Sequence, residues 1–383
     1  MLGGAVAVLI LGQIAPADAL AAINIDVMIF LFGMFVVGET LSRSGYLDLV
    51  AHRFFRHART PGQLLFLVIF GFGILSALLM NDTLAIIGTP LVLGLAIRCR
   101  LPSKLLLLAL AFAITTGSVA SPIGNPQNLL VALDSAMSAP FVTFASHLLL
   151  PTILSLAAAW LILFFFYRKG WSGTLDEDAC ADPAPEPDPA LSRIVKCSLA
   201  VLLILAGANI VASLLTGALA IPLPLIGIAA ALPIIIFSGQ RVAVLKSIDW
   251  CTLVFFAAMF VLMAAVWETG FFQSLAGTAG VTSVPAILAT SVLISQFISN
   301  VPFVALFTPL ILQSGGGTAR LMALAAGSTI AGNLTILGAA SNVIIIQQAE
   351  SRGETLTFFE FAKVGVPLTL VQVGIYAVCL GVV

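Results

Sequence analysis

Met80-Asn81-Asp82-Thr83 and Ser121-Pro122-Ile123-Gly124-Asn125-Pro126-Gln127-Asn128 interrupt a chain that is otherwise almost continuous hydrocarbon. Both interruptions recur downstream, as Ser299-Asn300-Val301-Pro302 and then Leu337-Gly338-Ala339-Ala340-Ser341-Asn342. Amide-bearing and helix-breaking residues are costly at membrane depth unless they line a cavity or meet a solute. A pair of such breaks that occurs twice is the sequence mark of a transporter binding site.

Working outward, 60% of the 383 residues are hydrophobic and 9% are charged. The mean hydropathy is +1.15. A soluble domain carries about a quarter charged residues, so the fold class is an all-α polytopic membrane protein. A net charge of -1 offers no basic surface for nucleic acid. The five cysteines are widely spaced, and His52, His57 and His147 form no cluster, so no metal site is expected. No His, Cys or Glu constellation with a nucleophile and base stands at depth, which argues against an enzyme. The apolar start at Leu2 lacks a basic leader, so about Leu2 to Leu20 reads as a first span.

Hydropathy divides the chain into a membrane half at 1–169, an acidic Pro-rich linker at 170–192 and a second membrane half at 193–383. In the first half a span from Asp26 to Leu41 is followed by an amphipathic stretch, Tyr46 to His57, suited to the headgroup plane. A paired-leg hairpin follows at about 62–97, then a broken helix at about 103–133 and a span from Phe141 to Tyr167. The second half offers spans at Ile194 to Leu215, Pro222 to Phe237 and Asp249 to Trp267. Its hairpin lies at about 284–312, its broken helix at about 321–346 and its last span at Val364 to Val383.

The halves align on polar punctuation. Met34-Phe35-Val36 matches Met259-Phe260-Val261, and Ser44-Gly45-Tyr46 matches Thr269-Gly270-Phe271. Asn81 and Thr89-Pro90 match Asn300 and Thr308-Pro309 at one offset; Ile123-Gly124 and Asn128 match Leu337-Gly338 and Asn342 at another. Chance apolar similarity does not keep Thr-Pro and Gly…Asn in register. With the N-terminus in the cytoplasm, every one of the 16 Lys and Arg residues except Arg320 faces inward. The repeats are then inverted, the linker is cytoplasmic and the C-terminus external. The hairpin legs are at or just below spanning length, so either full hairpins or re-entrant ones fit.

Re-entrant tips would bring helix N-termini to the midplane, where their N–H groups favour an anion or a polar oxyacid. Asn81, Thr83, Ser299 and Asn300 are the candidate tip ligands; Asn125, Asn128, Ser341 and Asn342 are those of the breaks. Carbonyls around Gly124 and Gly338 suit a coupling cation. Asp82, matched by Val301, is a candidate proton carrier, with a fixed counter-charge or a helix cap as alternatives. Glu39 and Arg43, spaced i, i+4, read as an interfacial ion pair.

At these residues the chain resembles the ion transporter superfamily of arsenite/antimonite permeases, divalent-anion/sodium symporters and citrate-transporter-like permeases. The symporter hairpin tips carry Ser-Asn-Thr, whereas Asn81-Asp82-Thr83 and Ser299-Asn300-Val301 stand here. Gly124-Asn125-Pro126-Gln127-Asn128 resembles the unwound loop of that family. Gly332 to Asn342 is more similar to the arsenite-permease branch. The resemblance implies two inverted repeats, each with a re-entrant helical hairpin and an unwound helix. It also implies a scaffold and an elevator-like moving element.

The expected function is secondary active transport of a small anion or oxyacid across the cytoplasmic (inner) membrane. A sodium/proton antiporter on the same fold and a passive anion channel are the alternatives. No cofactor is expected beyond bound Na+ or H+ as coupling ion. The expected partners are the solute, the lipid bilayer and, as an open option, a second copy in a homodimer.

Overall fold

The computed structural model describes residues 1–168, 175, 186–217, 221–270, 273–274 and 283–382. Among these, six helices are long and apolar enough to cross a bilayer, and the protein is a multi-pass membrane protein. In the first half α1 (Leu2–Ile10), α2 (Pro16–Ala21), α3 (Ile25–Ser44) and α4 (Tyr46–Phe55) come first. The hairpin α5 (Pro61–Leu78) and α6 (Asn81–Arg98) follows, then α7 (Ser103–Ser118), α8 (Pro126–Asp134) and α9 (Pro140–Tyr167). The second half contains α10 (Pro189–Thr216), α11 (Leu223–Phe237), α12 (Arg241–Ser247) and α13 (Trp250–Glu268). A second hairpin, α14 (Val284–Ile298) and α15 (Asn300–Gln313), precedes α16 (Thr318–Ile330), α17 (Ala340–Glu350) and α18 (Phe358–Val382).

The helix starts are written into the sequence. Asn24, Thr60, Asn125, Asp188, Asp249 and Ser283 each accept a backbone N–H of the first turn through their side chains. Pro61, Pro126, Pro140 and Pro189 follow at N1, where the missing N–H costs nothing.

The expected first span is not continuous. Gly12 at φ +68° ends the run after α1, and Pro16 begins a separate short helix, α2. α10 begins at Pro189, inside the stretch read as linker. Lys169, Asp176-Glu177-Asp178, Cys180, Pro183, Pro185 and Phe271 lie outside the described residues.

Small residues let the helices cross closely. A Cβ on Gly117 of α7 would fall 2.1 Å from the Gly73 carbonyl oxygen of α5, and one on Gly33 of α3 2.4 Å from the Gly227 backbone of α11. α10 is the opposite case: Leu203, Ile204, Leu214 and Leu215 are exposed, as a lipid-facing wall requires. The order span, hairpin, broken helix, span occurs in both halves, and the halves interlock. The outgoing leg α6 packs on α17, and α15 packs on α8.

Hydrogen bonds identify the two ends of the bundle. At one end Asp188 N donates to Ser44 O (3.0 Å), Leu175 N to Arg59 O (3.0 Å) and Ser103 Oγ to Glu354 Oε1 (3.0 Å). Arg43 donates to Ser247 Oγ at 2.5 Å, and Lys104 pairs with Glu360 there too. At the other end Asn24 Nδ2 donates to Asp134 Oδ1 at 3.2 Å. The first end carries Arg43, Arg59, Lys104, Arg241 and Lys246 and is called the basic end below.

Candidate functional site

Each hairpin tip ends inside the protein. Asn81 is 5% exposed and Asn300 6%. At 14 residues α15 is about 21 Å long, short of the ~30 Å hydrocarbon core. The Asn81 N–H donates to the Gly124 carbonyl at 3.1 Å, which docks the first tip on the first break. Glycine is required there, because a Cβ would lie 2.5 Å from Ser118 O. Gly338 repeats this constraint, with Ala331 O at 2.5 Å.

Asn128 and Asn342 perform the same local task in the two halves. Asn128 Nδ2 donates to the carbonyls of Ser118 (3.0 Å), Val119 (3.3 Å) and Ser121 (3.0 Å), which the break strips of helical partners. Asn342 Nδ2 donates to Gly332 O (2.6 Å) and Thr335 O (3.4 Å). Ser118 and Ser121 correspond to Gly332 and Thr335 at the offset that relates Gly124 to Gly338. Asn125 caps α8: its Oδ1 accepts from Asn128 N at 2.8 Å, and its Nδ2 donates to Ser118 Oγ at 2.9 Å.

The second break is less complete. Its half-helix α17 has Ala339 at the N-cap, which offers no side-chain acceptor. Among the described residues, Asn300 Oδ1, Ser341 Oγ and Asn342 Oδ1 are buried without a hydrogen-bond partner, as is Asn333 Oδ1 nearby in sequence. A buried polar atom left unmatched costs about 1–3 kcal/mol. Ser299, at the tip, has φ 69° and ψ 163°, a region that favours glycine, whereas Met80 at the matching place has φ -59° and ψ 139°. At the first break Asn125 and Asn128 are partnered, although Thr115 Oγ1 just before it has no partner among the described residues; the second break holds three such oxygens and a strained turn.

A cavity of about 550 Å³ links the basic end to the first tip. Its lining includes exposed Ser247 and Asp249, together with Glu39, Asp82, Ala340 and buried Thr83. It thus meets the N-terminal turns of both α6 and α17, whose N–H groups and positive dipole ends face one space. Thr83 is held by α3, where a Cβ on Gly38 would fall 2.6 Å from Thr83 Oγ1. The second cavity, of about 410 Å³, opens at the opposite end between the turn before α3 (Ala22 and Asn24), α8, α13 and α15. It reaches Ala305 and stops short of Val301, the counterpart of Asp82.

The linings are acidic. Glu39, Asp82 and Asp249 line the first cavity and Asp134 and Glu268 the second, and neither lining includes Lys or Arg among the described residues. Glu39 is neutralised by Arg43 at 2.6 Å, and Asp249 caps α13 by accepting from Thr252 N at 2.9 Å. The Asp82 N–H donates to Asn81 Oδ1 at 3.0 Å, while its carboxylate has no hydrogen-bonded or ion-paired partner among the described residues.

Of the residues singled out in the sequence, Asp82 and Thr83 line this cavity, whereas Asn81, Asn125, Asn128, Ser299, Asn300, Ser341 and Asn342 are not part of its lining among the described residues. Sequence reasoning missed Thr329, whose Oγ1 accepts from Asn125 and Gln127 at 3.3 Å each and joins the halves. It also missed Asn333, which donates to Thr116 Oγ1 (3.0 Å) and Gln372 Oε1 (2.9 Å), and Gln296, which accepts from Thr335 Oγ1 at 2.7 Å. Thr115 and Thr329 obey the same offset as Gly124 and Gly338, so that signal was present.

The sequence profile of the citrate transporter family (CitMHS) matches residues 1–320. The chain belongs to this family. An uncharacterized transporter of Mycobacterium tuberculosis, Rv2684, is 30% identical, covering 99% of this chain and 92% of its own. The silicon efflux transporter LSI3 of Oryza sativa subsp. japonica is 27% identical, covering 97% and 90%. Among solved structures, the YdaH transporter of Alcanivorax borkumensis aligns with a TM-score of 0.61 at 18% identity, covering 95% of this chain and 85% of its own. MtrF of Neisseria gonorrhoeae, described as illuminating a class of antimetabolite efflux pumps, aligns at 0.63 with 13% identity, covering 95% and 82%. These two likenesses concern the fold. The citrate transporter family member described here is a membrane transporter.

Proposed function

We propose that this member of the family is a secondary active transporter of a small oxyacid, taken in its uncharged, hydroxyl-rich form, with proton coupling through Asp82. The supporting observation is the pair of unequal cavities: one reaches the hairpin tip from the basic end, while its counterpart stops at Ala305. That inequality is what an alternating-access carrier caught open to one side presents. By the excess of Lys and Arg the open side is the cytoplasm, with the N-terminus inside and the C-terminus outside an inner membrane. The halves at 1–169 and 193–383 are then inverted repeats, joined by the 170–192 linker and moving in the elevator manner.

The acidic linings select the charge class of the solute. Walls carrying carboxylates and no lining base repel a multiply charged anion and admit a neutral one. A relative named for silicon efflux fits this choice, because dissolved silicon is an uncharged hydroxide at neutral pH. In this reading Asn81, Thr83, Ser299, Asn300, Ser341 and Asn342 present donors and acceptors to the solute. Asn125 and Asn128 shape the cradle, with Gly124 and Gly338 permitting the close backbone approach.

The test is uptake into proteoliposomes of silicic acid, arsenous acid, sulfate and citrate under separately imposed proton and sodium gradients. Asn81→Ala and Asn300→Ala are expected to abolish uptake of the oxyacids while the protein remains folded. Full transport by both variants refutes the site. Accumulation driven by sodium alone refutes the role given to Asp82.

A further inference from the structure

A cleft of about 210 Å³ lies at the basic end between α4 and the last turns of α6, separate from both cavities described above. Two stripes with a four-residue spacing line it. Asp48, His52 and Arg56 come from α4; Pro90, Gly94 and Arg98 come from α6. At about 30 Å³ per water the volume suits a group the size of a phosphodiester headgroup. Phe55 closes the floor by packing on Phe72, with ring centroids 6.0 Å apart.

The position of the cleft identifies its medium. α4 carries Arg53, Arg56 and His57 on its exposed side, beside an exposed Phe54, and Ile97 at the end of α6 is 78% exposed. A helix with basic and apolar faces beside a lipid-facing leg sits in the headgroup layer. The charges identify the ligand. Arg56 and Arg98 form no salt bridge among the described residues. Asp48 is the one carboxylate in the lining, and burial raises its pKa while its own backbone and Arg98 oppose the rise. Two arginines against one carboxylate leave a net positive charge, which an anionic headgroup matches better than a zwitterionic one.

We propose that this cleft binds the phosphate of an anionic phospholipid, with Arg56 and Arg98 as its ligands and the acyl chains running over Leu91, Ile97 and Phe54. Such a lipid ties α4 to the outgoing leg of the first hairpin. It therefore acts on the element whose tip carries Asp82 without entering the solute cavity.

The test uses the full chain purified in detergent. Its unfolding temperature is followed while phosphatidylglycerol, phosphatidylethanolamine, phosphatidylcholine or inorganic phosphate is titrated in. The readout is the shift each additive causes, so a loss of basal stability in a variant does not obscure it. Phosphatidylglycerol is expected to raise the unfolding temperature. Arg56→Gln combined with Arg98→Gln should weaken its apparent affinity about thirty-fold, from about 1 kcal/mol for each basic group at a membrane surface. An undiminished shift in the double variant overturns the proposal, as does an equal shift with either zwitterionic lipid. Inorganic phosphate reproducing the shift overturns the lipid as the occupant.

Discussion

Asn128→Ala and Asn342→Ala delete the same atom group from two related breaks, and the structure predicts unequal costs. Asn128 shares its two amide hydrogens among three carbonyls, and its Oδ1 lies 3.3 Å from Thr329 Oγ1, whose hydrogen also reaches Ala325 O at 2.8 Å. Asn342 makes two donated bonds, one of them at 3.4 Å, and its Oδ1 has no partner among the described residues. Hydrogen bonds inside helical membrane proteins average about 0.6 kcal/mol and reach about 1.7, because the unfolded state in the membrane also finds partners. Asn128→Ala should therefore cost roughly 2–4 kcal/mol and Asn342→Ala roughly 1–2, taking the 3.4 Å contact as weak. Asn128→Asp should be worse than Ala, since it turns an acceptor toward three carbonyls. The assay is equilibrium unfolding in mixed micelles, following tryptophan fluorescence and helical circular dichroism together. An Asn342→Ala variant as unstable as Asn128→Ala would refute the inference that the first break is a satisfied structural unit and the second is not.

Other outcomes follow from single features. Asp82→Asn should keep downhill exchange of the solute but lose accumulation driven by a pH gradient, measured in the same vesicles with and without that gradient. Ser299→Gly should stabilise the protein by about 1 kcal/mol by releasing a strained φ, whereas Met80→Gly should destabilise it; both are read from unfolding curves. Cys251 lines the cavity at the basic end and is exposed. In a background lacking the other thiols it should react with a membrane-impermeant maleimide from that side only, and more slowly when solute is bound.

Much of the fold was legible because bilayer physics is blunt. Where a cap and an N1 proline coincide at Thr60-Pro61 the helix begins next to its expected start, whereas the same pair at Asp188-Pro189 starts α10 ahead of the expected Ile194. The first apolar run misled because hydropathy does not register a left-handed Gly12 between two helices. The breaks were visible as polar residues in apolar surroundings, yet the direction in which an amide points was not. Asn128 and Asn300 look alike in sequence; one amide is consumed by three carbonyls and the other keeps a bare oxygen. Asp249 and Glu39 were read as features of helix ends, and only the folding of α13 and α3 beside α6 turns them toward the space that holds Asp82.

If the protein works as the proposed carrier, the unmatched oxygens of the second break bear on its return step without solute. Asn300, Ser341 and Asn342 each hold an acceptor without a partner among the described residues, at about 1–3 kcal/mol apiece. Loading with a donor-rich solute would remove that penalty, so the occupied protein would cross its conformational barrier from a different starting height than the vacant one. A difference of a few kcal/mol in that height changes a rate by two or three orders of magnitude. Incomplete hydrogen bonding at one of the two related breaks would then set how tightly movement is tied to cargo, and how little leaks when there is none.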